Sequence, residues 1–215
     1  DEVRREVWPA GFTGSAARPE RPLGGIILVT AALTLAAVAA GQHDDVFNSV
    51  ADVLLKHGRG DSVVRIGLEA QGAWFPWGAG NGANTPEAFK AAFAHVSRLL
   101  QARMPQAEMM FDISCGAELR GQQDRMDPLT ALYPGDDVVD IVGCDHYDHY
   151  TVISHTSKKF RQALTPKKAA GLQDTLDFAR AHGKKFGVPE WGLTAEAAHG
   201  GGDNTYFMHA MYMWF

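Results

Sequence analysis

The sequence predicts an α/β protein in which helices cover a parallel sheet, and three observations carry that reading. Short apolar runs such as 62–68 (SVVRIGL) and 138–144 (VVDIVGC) are nearly continuous rather than alternating, as in strands buried on both faces. Segments between them place apolar residues at helical spacing. The two patterns alternate along the chain, with no internal repeat, low-complexity tract or interdomain linker.

The elements follow in order. The opening 25 residues hold Gly, Pro and Arg with little periodicity, and only Val7–Phe12 suggests a strand remnant. Ile26–Ala32 is a continuous apolar run, read as a buried strand followed by a loop of small residues. The wider stretch Ile26–Gly41 also resembles the apolar region of a signal peptide and is short for a membrane span of about 20 residues. A helix is expected over Asp44–His57, with Val46, Phe47, Val50, Val53 and Leu54 on one face and Gly58 just past its end. Ser62–Leu68 reads as a strand. Thr85 caps the next helix, Pro86 takes its first position and Glu87 its first turn, with Phe89, Phe93, Val96 and Leu100 as the buried stripe. Strands follow at Met109–Ser114 and Val138–Cys144. A helix over Gly171–His182 stops at Gly183, and a short strand, Phe186–Pro189, leads to Glu190. Asp203 is expected to cap a last helix, Thr205–Phe215.

Composition narrows the function. The chain has 215 residues, 46% hydrophobic and 21% charged, values ordinary for a folded domain. That length suits one domain over 1–215, or part of a larger α/β barrel. The net charge of −5 with no basic run argues against nucleic acid, which needs clustered Lys and Arg, and against an anionic membrane surface. Cys115 and Cys144 lack any CxxC or Cys/His zinc spacing. Two buried thiols are the ordinary reading, and a disulfide between neighbouring strands is the alternative.

Two glutamates stand just past predicted strands: Glu69 after VVRIGL and Glu190 after KFGVP. In a β/α barrel the C-terminal strand ends converge on substrate, and the roughly 120 residues between the glutamates fit three βα units of about 40. Glycoside hydrolysis needs two carboxylates flanking the scissile bond. Acidic residues are common on any barrel, so the flanking residues matter. Glu69 precedes a Gly-rich loop holding Trp74, Phe75 and Trp77, and Glu190 is followed by Trp191 and Gly192. Loop aromatics suit the apolar faces of sugar rings, although such residues also plug barrel mouths.

At these residues the chain resembles glycoside hydrolase family 26, in the clan of retaining barrel glycosidases. RIGLEAQGAWFPW (65–77) resembles that family's acid/base segment, LYPGDDVVDIVGCDHYD (132–148) its sixth-strand segment, GVPEWGL (187–193) its nucleophile strand and GGGDN (200–204) the loop beyond. The resemblance implies a (β/α)8 barrel, of which about strands three to seven are present, and a main activity of β-1,4-mannan hydrolysis. It implies that Glu69 is the acid/base and Glu190 the nucleophile, with the Tyr147 hydroxyl bonded to Glu190 to orient it. Arg65 and Gln71 would shape the site, Asp145 would support it, and Trp74, Trp77 and Trp191 would line sugar subsites. It implies a polysaccharide substrate, no cofactor and no metal, and a secreted or extracellular protein; oligomeric state is left unset. Departures from the pattern are Ala70 for a usual Phe, Gln71 for Asn, Leu68 for a larger or polar residue, and 111–115 (FDISC) without the expected Trp-Asn. The chain is also short for a barrel of about 250 residues, and reads as a fragment or a truncated member.

Two alternatives compete. A catalytically inactive carbohydrate-binding homologue would explain the substituted loop residues. A metal-dependent hydrolase would use the ligand-rich segment Asp145–His149, with His155 nearby, though no HExxH pattern supports it. No GxSxG elbow or phosphate-binding glycine loop is present.

Overall fold

Strand-forming runs rich in Val, Ile, Met and Phe line up in one parallel sheet. The computed structural model describes residues 23–26, 34–150, 152–195 and 198–215. The strands lie in sequence order: β1 (Leu23–Ile26), β2 (Val63–Ile66), β3 (Glu108–Ser114), β4 (Ile141–Asp148) and β5 (Lys185–Gly187). Each pairs in parallel with the next, and a short β6 (Trp191–Leu193) runs parallel beside the end of β4. The helices are α1 (Leu35–Ala39), α2 (Asp44–Lys56), α3 (Pro86–Arg103), α4 (Asp127–Thr130), α5 (Ser157–Leu164), α6 (Leu172–Ala181) and α7 (Thr205–Trp214).

Alternation along the strands separates two faces. Val64, Ile66, Met109, Phe111, Ile113 and Val142 point toward the helices and join their buried stripes in the main core. Phe111 meets Phe89 and Phe93 of α3 edge-on, at ring centroid distances of 6.4 and 6.2 Å. The opposite face starts with a small apolar cluster of Val63, Met110 and Ile141. Two residues further along each strand, toward the C-terminal ends, stand Arg65, Asp112 and Gly143, and Asp145 follows on β4. Such layering of inward side chains is the interior of a β/α barrel. A Cβ on Gly143 would come within 3.0 Å of the Asp112 Cβ, so the glycine makes room for that carboxylate.

Several expectations are corrected. The strand expected at Val138–Cys144 runs instead from Ile141 to Asp148. Val138 and Val139 are buried before the strand begins, and the Val138 carbonyl accepts the Ser97 hydroxyl of α3 at 2.7 Å. Polar residues 145–148 nevertheless extend the strand because their side chains find partners on both faces: Asp145 meets Arg65, Tyr147 meets Glu190, and Asp148 accepts from Ser154 and Asn204. The small-residue loop contains helix α1, whose alanines favour helix and whose cap is Thr34, accepting from the Ala37 N–H at 3.1 Å. The last helix is capped by Asn204 rather than Asp203. Val46 and Val53 of α2 are exposed, the buried positions being Phe47 and Ala51. Helices α4 and α5 were not expected: α4 is a single turn of four residues, and α5 is a short polar helix that buries only Phe160 and Ala163. Of the expected strand Ile26–Ala32, Ile26 is in β1, while residues 27–32, like Val7–Phe12, lie outside the described residues and leave those expectations open. Cys115 and Cys144 form a disulfide with Cα atoms 5.4 Å apart, so the two-thiol reading is also corrected. Among the described residues no helix is long and apolar enough to cross a membrane.

Candidate active site

The site is assembled at the C-terminal ends of the parallel strands. Glu69 lies three residues beyond β2 and Glu190 three beyond β5, so both occupy one rim. Glu69 adopts φ +50° and Gly67 φ +57°. The left-handed turn at a non-glycine residue is unfavourable and occurs where surroundings impose it. Here the Gly72 N–H donates to the Glu69 carbonyl at 2.7 Å, and the Ala70 N–H to the Asp112 carbonyl at 3.1 Å.

A buried guanidinium organises the floor. Arg65 on β2 donates through Nη1 to Glu190 Oε1 at 2.6 Å and through Nη2 to both Asp112 Oδ2 and Asp145 Oδ2 at 2.7 Å. Its Nε reaches Asp112 Oδ1 at 3.4 Å. One cation thus faces three carboxylates, two of them fully buried. Burial, and the charge of Asp112, push Asp145 up to about 9, and its Oδ1 has no hydrogen-bond partner. Asp112 is also pushed up by burial, while Arg65 opposes the shift. Asp112 receives the Nε, Nη2 and Glu69 N–H contacts, whereas Asp145 receives one. The shared proton therefore belongs on Asp145.

Glu190 takes a second donor, the Tyr147 hydroxyl, at 3.1 Å from Oε2. Its two oxygens are held by a guanidinium and a phenol. Glu69 is placed differently: the Trp74 indole N–H donates to its Oε2 at 2.6 Å. Burial raises the Glu69 pKa, the Trp74 and Ser114 bonds lower it, and the charges of Asp112 and Glu190 raise it, with the net direction upward.

The other expected site residues divide by exposure. Trp74 is 54% exposed and able to stack on a ligand. Trp77 is only 4% exposed. It donates to the Leu68 carbonyl at 2.8 Å and stacks on Phe75 at 4.4 Å, so its expected stacking on sugar is corrected: it props the loop from beneath. Trp191 is half-buried against Phe207 and Phe215. Gln71 is buried and clamps the end of β3, accepting from the Ser114 N–H at 3.1 Å and donating to the Ser114 carbonyl at 2.6 Å. Gly78 packs where a Cβ would lie 1.7 Å from the Gly72 carbonyl oxygen, and Asn81 and Asn84 tie the loop through its carbonyls.

Asp112, Asn81 and Asn84 escaped the sequence reading. The signal for Asp112 was a carboxylate inside the apolar strand 108–114 (EMMFDIS), which needs a buried partner, and the isolated arginine of VVRI is that partner. The proposed metal cluster does not converge. Asp145 points inward to Arg65, whereas His146 is buried on the other face, 5.6 Å from the Phe207 ring. Burial lowers His146 to about 4. Among the described residues no group of three His, Cys, Asp or Glu side chains is placed to hold a metal ion.

A parallel β/α sheet with paired carboxylates and an aromatic loop on one rim has the architecture of the barrel glycosidases. The family model of Glycosyl hydrolase family 26 matches residues 44–186, and the chain belongs to that family. Endoglucanase H of Acetivibrio thermocellus is 31% identical over 93 residues, which cover 42% of this chain and 10% of that protein. Two similar structures, each 22% identical, are a Cellulomonas fimi endo-β-1,4-mannanase double mutant, with a TM-score of 0.57, and a family 26 β-mannanase from Bacteroides ovatus, with a TM-score of 0.55. The matches cover 77% and 74% of this chain but 36% and 44% of those chains. The fold is that of a (β/α)8 barrel, of which the described residues form part.

Proposed function

We propose that this chain carries the catalytic pair of a retaining glycoside hydrolase acting on a β-linked polysaccharide, most specifically in the endo manner on β-1,4-mannan. The observation that carries the reading is the unlike setting of two carboxylates on one rim. Glu190 is gripped by Arg65 and Tyr147, while burial raises the pKa of Glu69. A double displacement requires such a division of labour. Glu190 attacks the anomeric carbon as the glycosidic C–O bond breaks, and Glu69 gives its proton to the departing oxygen. Glu69 then takes a proton from water, which attacks the same carbon and frees Glu190 from the glycosyl ester. Such a polysaccharide is met outside the cell, which the disulfide suits.

Single replacements test the roles. Glu69→Ala should still cleave aryl glycosides whose leaving group needs no proton, with azide accelerating turnover and yielding a β-glycosyl azide. Glu190→Ala should lose turnover of every substrate, by about 10³-fold or more. Reversed behaviour would exchange the roles, and an inert wild-type chain on all β-glycans would favour the binding-only homologue.

A further inference from the structure

Beyond the catalytic pair, the same rim carries an exposed aromatic feature that the mechanism does not use. Tyr150, just past β4, is 65% exposed although it is a large ring, and its backbone is left-handed at φ +49°. The His199 ring, from the loop after β6, stacks on it at 4.8 Å and 21°. Ring contacts lead back to the nucleophile: Tyr150 meets His149 at 4.7 Å, His149 meets Tyr147 at 5.5 Å, and the Tyr147 hydroxyl bonds Glu190.

The loops beneath are built, not loose. The Tyr150 N–H donates to the His199 carbonyl at 2.8 Å, and His149 bridges Gly200. Fully buried Asp148 fastens both loops. One oxygen accepts the Ser154 N–H and the other the Asn204 side-chain amide, both at 2.7 Å, and its carbonyl accepts the Gly201 N–H at 3.0 Å. A Cβ on Gly201 would stand 1.9 Å from Asp148 Oδ2, which gives the GGGDN segment a physical reason.

We propose that the exposed Tyr150 ring, backed by the His199 ring stacked on it, forms a sugar-stacking platform that holds a pyranose unit of the polysaccharide remote from the scissile bond. The proposal rests on the glycosidase reading. An exposed ring held by an unfavourable backbone needs an occupant to explain it. Because the His199 ring covers one face of Tyr150, what stays open is about one ring face, far below what a stable protein partner requires but matched to one sugar face. Ring contacts through His149 and Tyr147 put it on the same rim as Glu190, within reach of a polysaccharide bound there. The occupant is therefore a neutral β-linked hexose.

The test uses the Glu190→Ala chain, which would bind without turnover, and β-1,4-mannohexaose, with β-1,4-glucan oligosaccharides as a second panel. Adding Tyr150→Ala should weaken hexaose binding roughly three- to tenfold, more than it weakens trisaccharide binding. Tyr150→Phe should restore it, and His199→Ala should give a smaller loss. Melting temperatures identify any variant that fails to fold, for which Tyr150→Phe and His199→Ala carry the comparison. Hexaose affinity unchanged by both Tyr150→Ala and His199→Ala would overturn the platform. Failure of the parent to bind either panel would overturn the platform, whereas binding by the wild-type chain without hydrolysis would sink only the glycosidase reading.

Discussion

At the scale of single residues, the central fact is charge arithmetic around Arg65. One guanidinium faces three carboxylates, two of them fully buried, where uncompensated charge is costly, and the geometry puts the retained proton on Asp145, raised from 3.8 to about 9. The native state then binds one more proton than the unfolded chain between those values. Its stabilising effect is complete below about 3.8, is lost progressively as pH rises, and is gone above about 9. Asp145→Asn, a neutral isostere, removes this slope. Denaturant midpoints of the two proteins should therefore differ least in the variant's favour at pH 5 and most at pH 9, at equal ionic strength. Parallel profiles would mean that Asp145 is ionised throughout. The sequence displayed Glu69, Glu190, Arg65 and Tyr147 plainly because each lies in a motif. It hid Asp112, since one carboxylate in a strand reads as polar noise until the register pairs β2 with β3.

At the scale of elements, loops rather than strands decide the site. The Glu69 loop is held to the neighbouring strand by Gln71, whose amide satisfies both the Ser114 N–H and carbonyl. Gln71→Met keeps the volume and leaves the Ser114 N–H without its acceptor, while the Ser114 carbonyl keeps the Ala117 N–H, which should cost about 1–3 kcal/mol of stability. Turnover should fall with it, because Glu69 stands two residues away; urea unfolding and kcat on one substrate measure both. Intact kcat would mean that the clamp serves only the fold. The start and the buried stripe of helix α3 were readable because Thr85, Pro86 and the residues from Phe89 to Leu100 are local signals. Strand β4 was misplaced because apolar continuity ends at Cys144, while the strand continues to Asp148 through residues whose partners are distant in sequence, Arg65 on β2 for Asp145 and Asn204 at the start of α7 for Asp148.

For the whole molecule, the disulfide ties the exit of β3 to the outer side of β4 across a sequence separation of 29. By loop-closure entropy it should add about 3–4 kcal/mol, so reduction by a thiol, or Cys144→Ala, should lower unfolding free energy by that amount; a loss under 1 kcal/mol would mean that the sheet alone fixes this corner. What the sequence by itself determined is the alternation of buried strands and amphipathic helices, the two rim glutamates and the aromatic loop beside them, since periodicity and motif spacing are properties of contiguous residues. Tertiary structure alone decided that Cys115 meets Cys144, that Trp77 is buried while Trp74 is open, that Asp145 and His146 part to opposite faces, and that Arg65 joins Asp112, Asp145 and Glu190. Those outcomes depend on strand register and on competition for one buried cation, and both are set between segments far apart in the chain.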